Sequence, residues 1–113
     1  MSQPPDLSSR ILIRVSSPGT PSFQLRKGEE GISTFVVDAV SPLLTEEEIL
    51  ENFREGSQCI TRTHQEVEDR GLLLVPSEGA DFLPERLRQA HHEIRPSPSM
   101  SRSQFKQALK ELE

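Results

Sequence analysis

The chain has 113 residues, 33% of them hydrophobic and 27% charged, enough for one core beneath a polar shell and in keeping with a single small soluble domain. A net charge of −5 and the absence of Tyr and Trp argue against general affinity for nucleic-acid phosphates, an anionic membrane or stacked bases. One cysteine, Cys59, excludes an intrachain disulfide and a Cys-rich zinc site, and no apolar run approaches the roughly 18 residues of a membrane helix.

Residues 1–9 are rich in Pro and Ser and are expected to be disordered, leaving 10–113 as one domain. The opening "MSQPPDLSSR" lacks the apolar core of a general secretory signal, so cytoplasmic residence is expected, although a protein exported by a specialised secretion system would read the same. "RILIRVSS" alternates, with Ile11, Ile13 and Val15 on one face of a strand and Leu12 and Arg14 on the other. "PGTP" is a turn or loop, and a short strand near Phe23–Leu25 and a stronger one from Ile32 to Val37 flank a glycine-bounded loop.

Three helix starts carry the capping-box pattern, in which a hydroxyl accepts from the third helical N–H and a Glu or Gln reaches back. They are Thr45 with Glu48, Thr63 with Glu66, and Ser101 with Gln104. The first helix presents Ile49, Leu50 and Phe53 and stops at Gly56; the second is short, turns Val67 inward and ends at Gly71. The last lines up Phe105, Ala108, Leu109 and Leu112, so it should dock on the core. Strands are expected at 58–62, 72–76 and 91–95, and the unbroken apolar run Leu72–Val75 predicts a strand covered on both faces. The segment from Ser77 to Leu87 reads as a loop with a helical turn after Pro84 as an option. This order does not alternate strictly, which favours an α+β domain with a curved, mostly antiparallel sheet and three short helices.

The stretch "QAHHEIRPSPSM" concentrates polar chemistry. If residues 91–95 are extended, His91 and Glu93 share one side while His92 and Ile94 share the other. Three adjacent residues then cannot converge on one ion, and only His64 could join them from elsewhere, so no metal site is expected. The plain alternative is that Ile94 packs inward and the polar residues are solvated at a strand end. Cys59 reads as a buried, inert thiol. No G-x-S-x-G elbow occurs, and the glycines of "KGEEG" are flanked by acids that would repel a phosphate.

Four segments, in order, resemble a family of toxins with an ADP-ribosyltransferase-like fold, typified by a type VI secretion effector. They are "LIRVSS", with Arg14; "GISTF", a Gly-x-Ser-x-Phe match; "EGADFLPERL", an acidic-Gly-x-Asp-x-x-Pro match; and "HHEIRPSPSM", a His-x-x-Ile-x-Pro-x-x-x-Met match before an amphipathic C-terminal helix. The chain departs from that family in being shorter between the second and third segments, and in lacking the aromatic residues that often cover nicotinamide. The resemblance implies a split sheet and NAD as substrate, with ADP-ribose passed to a cellular target or NAD cleaved in its presence. It implies Arg14 and Ser33 as cofactor-binding residues, and Ser33, His91 and Glu93 as catalytic ones. Such a reaction runs through an oxocarbenium-like transition state and asks for a phosphate- or ribose-binding cation, a hydroxyl and a nearby carboxylate. An immunity or antitoxin protein would be the natural partner. The alternative is a non-catalytic interaction protein that keeps the fold and binds a partner protein. Convergence of Arg14, Ser33 and His91 on one cleft would favour the enzyme.

Overall fold

The alternation in "ILIRV" becomes strand β1, Ile11–Ser16, in the computed structural model, which describes residues 9–113. The expectation for residues 1–9 therefore lies, apart from Ser9, outside the described residues. Four strands follow: β2 (Ile32–Val36), β3 (Gln58–Thr63), β4 (Leu72–Pro76) and β5 (His91–Pro96). They form one sheet in the order β3-β1-β2-β5-β4, with every neighbouring pair antiparallel. The helices are α1 (Glu46–Leu50), α2 (His64–Asp69), α3 (Glu85–Ala90) and α4 (Arg102–Lys110), and a 3-10 turn spans Val37–Ala39. The fold is α+β, as the residue pattern predicts, with one helix more than expected. Only Leu87 and Ala90 of α3 turn inward, so its apolar stripe is short and easily read as loop.

Side-chain alternation sorts two cores onto the two faces of the sheet. On one face Leu12, Ile32, Val36 and Ile94 pack beneath Phe105 and Leu109 of α4 and Val67 of α2. On the other, Ile13 and Phe35 meet Ile49 of α1, Leu87 and Ala90 of α3, and Leu44 and Leu83 from the loops. The capping boxes of α2 and α4 close in both directions. That of α1 closes in one only: Thr45 accepts from the Glu48 N–H, but the Glu48 carboxylate takes Arg86 Nε at 2.6 Å and Nη2 at 3.1 Å. The diverted carboxylate ties α1 to α3.

Two expectations are corrected. Residues 23–25 form no strand; Phe23 and Leu25 are buried as anchors of a loop, and the Glu113 carboxylate accepts from the backbone N–H groups of Ser22 and Phe23, filling the place of a strand partner. The run Leu72–Val75 belongs to an edge strand and is covered on one face better than on the other. Leu72 is fully buried and Leu73 is 38% exposed. Among the described residues no helix is long and apolar enough to cross a membrane.

Candidate functional site

The site begins with a defect in the sheet. β1 stays paired with β3 along its whole length, from Ile11↔Thr63 to Ser16↔Gln58. Its pairing with β2 covers only Leu12↔Val36 and Ile13↔Phe35, while β2 continues along β5 from Phe35↔His91 to Ile32↔Ile94. The sheet thus opens between β1 and β2 beyond Ile13, leaving backbone groups there without a ladder partner. Arg14 fills the opening. Its Nη1 donates to the Ser33 carbonyl at 2.9 Å and its Nε to the Ser22 carbonyl at 2.8 Å. Burial lowers the guanidinium's pKa, Arg26 adds to that effect, and Glu29 and Glu113 oppose it.

Alternation places Arg14 on the Leu12 face, whereas Ser33 and His91 lie on the Phe35 face. The opening lets the long side chain reach across. Arg14, Ser33 and His91 consequently line one cleft of about 220 Å³, together with Phe35, Phe53 and Phe82. Nη2 of Arg14 meets no protein acceptor among the described residues.

His91 begins β5 directly after the last residue of α3, with no loop between them. The ring is 7% exposed and stands edge-to-face on Phe35, with centroids 5.6 Å apart. Its Nδ1 lies 3.0 Å from the Ser77 carbonyl. A carbonyl only accepts, so Nδ1 carries a hydrogen, and the tautomer with its single hydrogen there presents Nε2 as an acceptor. From Phe35 the aromatic contacts continue to Phe53 at 6.1 Å and from Phe53 to Phe82 at 6.3 Å, both edge-to-face. These two rings were not legible as site residues. Phe53 resembles one more apolar position of α1 but falls three residues past its end, and Phe82 sits in a loop with 67% exposure. They supply an aromatic surface from rings that are scattered along the chain.

Glu93 is placed differently. It pairs with Ser33 across the β2–β5 ladder, but its Oε1 accepts from Arg95 Nε at 2.8 Å and Nη2 at 2.6 Å. The same oxygen lies 3.0 Å from where a Cβ on Gly31 would stand. The carboxylate is turned along its own strand and does not line the cleft. His92, on the opposite face, is buried, and its Nδ1 donates to the Ala90 carbonyl at 2.9 Å. His64 contacts Glu68 at 3.1 Å. Among the described residues no three His, Cys, Asp or Glu side chains form a group able to hold a metal ion. Cys59 is half-buried, and burial raises its thiol pKa, with Glu46 adding to the effect, which leaves it a poor nucleophile.

The cleft is therefore lined by one arginine, one serine, one histidine and three phenylalanines, with no Asp or Glu among its lining residues. No protein-family model, no curated protein and no solved structure matches this chain.

Proposed function

We propose that this cleft binds the nicotinamide end of NAD and that the protein is an ADP-ribosyltransferase-like toxin domain acting on a cellular target. The observation that carries the reading is the meeting of Arg14, Ser33 and His91 around one phenyl-lined space. The rings of Phe35, Phe53 and Phe82 would hold the flat, cationic nicotinamide by stacking and cation–π attraction. Nη2 of Arg14 would take ribose or phosphate oxygens, and the Ser33 hydroxyl would fix the sugar. In the reaction the ribose–nitrogen bond breaks and its electron pair leaves with neutral nicotinamide. A nucleophile of the target, or water, adds at the freed ribose carbon, and its proton passes to Nε2 of His91. For Glu93 to face the developing positive charge, its carboxylate must first leave Arg95.

The test is NAD binding and nicotinamide release by the purified full chain, with and without extract of a susceptible cell. His91→Ala is expected to slow release by roughly a hundredfold or more, and Arg14→Lys to weaken NAD binding. A folded wild type that binds no NAD at millimolar ligand sinks the reading.

A second reading, a non-catalytic module for a partner protein such as an immunity or antitoxin protein, is favoured by one observation. The carboxylate that the chemistry asks for is tied to Arg95, while Phe82 stands 67% exposed at the cleft. A partner that protects Phe82 in a protein showing no NAD binding would establish it.

A further inference from the structure

Four of the chain's six glycines, Gly19, Gly28, Gly56 and Gly71, stand at φ between 75° and 89°, where any side chain is strained. Gly31 and Gly79 do not, so their backbone shape calls for no glycine. What these two share is crowding against a residue of the candidate set. A Cβ on Gly31 would press on Glu93 and Arg95. A Cβ on Gly79 would stand 3.0 Å from Leu83 Cδ1 and 3.3 Å from both Cβ and Cγ of His91. The Leu83 methyl ends a flexible side chain and can turn aside. The Cβ of His91 is fixed to the backbone of β5, and its Cγ is the root of the imidazole ring, so neither yields without moving the strand or the ring.

The neighbours of Gly79 already hold that ring. Ser77 grips His91 twice: its N–H donates to the His91 carbonyl at 3.1 Å, and its own carbonyl accepts from Nδ1 at 3.0 Å. Two residues further on, Gly79 brings bare backbone against the base of the same side chain. A methyl group there would force the loop to lift or the ring to turn, and either change stretches the Nδ1 bond that sets the tautomer. The loop then continues through Ala80, Phe82 and Leu83, which line the cleft beside His91.

We infer that Gly79 is a positioning residue for His91. Its missing side chain lets the segment from Ser77 to Gly79 close on the imidazole, hold the hydrogen at Nδ1 and keep Nε2 as the proton acceptor. A backbone carbonyl thereby does for His91 what a buried aspartate does for the histidine of a Ser-His-Asp triad. The inference rests on the proposed role of His91 in NAD cleavage and names what sets that residue's orientation.

The test reads His91 directly, through the ¹⁵N chemical shifts of its neutral ring in the full chain, with His91→Ala identifying the signals. Wild type should show the hydrogen confined to Nδ1. Gly79→Ala should mix the two tautomers, whereas Ser77→Ala, which keeps both backbone bonds, should leave the wild-type pattern. Nicotinamide release should fall by roughly tenfold in Gly79→Ala, part of the hundredfold or more expected on losing the imidazole. It should fall no further when Gly79→Ala is added to His91→Ala, because a residue that acts through another has no effect once that other is gone. Unchanged His91 nitrogens in a folded Gly79→Ala overturn the inference, as does an equal proportional loss of release in both backgrounds. If Gly79→Ala does not fold, its combination with His91→Ala should, since the ring that the methyl strikes has been removed. A combination that stays unfolded while His91→Ala folds overturns the inference too. Mixed tautomers in Gly79→Ala, with no nicotinamide release by wild type, count against the NAD reading and leave the hold of Gly79 on His91 standing.

Discussion

At Arg14 a structural demand and the proposed binding role fall on one side chain. Because its guanidinium occupies the opening between β1 and β2 and serves the Ser22 and Ser33 carbonyls, it is not an idle charge on a cleft wall. Arg14→Ala is expected to lower stability by about 1–3 kcal/mol in urea titration, since two carbonyls lose a charged donor. Stability unchanged by Arg14→Ala would show that water replaces the clip freely. His92 carries a different signature. Burial lowers its pKa from the ordinary 6.5, with the Ala90 carbonyl opposing and Arg10, His91 and His64 adding to the lowering. The unfolded chain therefore takes up the proton first. Stability is full above pH 6.5 and falls as pH drops below that value toward the folded pKa. His92→Gln should flatten this part of a melting-temperature profile and leave the lower-pH loss from Glu48, whose carboxyl Arg86 holds below 4.5. An unchanged slope in His92→Gln would assign the pH response elsewhere. At this scale the sequence was legible where period two governs. The split of His91 and Glu93 from His92 and Ile94 follows from alternation alone. The reach of Arg14 across the sheet does not, because it depends on where two strands part, which is a property of loop geometry.

Among the elements, α4 was the most legible, because its cap and its stripe agree. Ser101 and Gln104 close the box, and Phe105, Ala108, Leu109 and Leu112 are buried. Phe105→Ala is expected to cost about 3–5 kcal/mol, and removal of residues 101–113 should abolish the cooperative melt, since it also takes away Glu113 from the Ser22–Phe23 loop. A truncated chain that melts like the full one would contradict this. β4 was misread for a physical reason: an apolar run records hydrophobicity, not the number of layers above it. Alternation across the strand makes neighbouring leucines unequal, Leu72 buried and Leu73 partly exposed. Leu72→Ala should cost about 2–5 kcal/mol, whereas Leu73→Lys should stay within about 0.5 kcal/mol, as surface changes do. Equal losses in denaturant titration would mean that the outer face of β4 is covered after all. α3 was half-legible for a similar reason, since two inward residues leave little periodic signal and its tie to α1 through Arg86 and Glu48 joins positions 38 residues apart.

Across the whole molecule one sheet separates two cores, and the phenylalanine cleft lies beside the core that α1, α3 and their loops cover. That core draws on short elements and loops, whereas α4 spans nine residues over the other. Amides of α1 and α3 should accordingly exchange with solvent faster than those of β1, β5 and α4. The fold class was legible because strand and helix signals are local; the candidate site residues came from a resemblance, and the place where three of them meet was not legible. Another consequence follows from the joints at Thr63–His64 and Ala90–His91, where strand meets helix with no residue between. The chain has no slack at those points. One amino acid inserted between Ala90 and His91 would leave α3 seated and turn the rest of β5 over by a half-step, so that His91 and His92 exchange sides of the sheet and Ile94 is driven out of its core. Natural or engineered length variation should therefore be tolerated in the long connection between Ser17 and Gly31 and rejected at these two joints, making the spacing from Leu87 to Ile94 as diagnostic of this protein as any single residue within it.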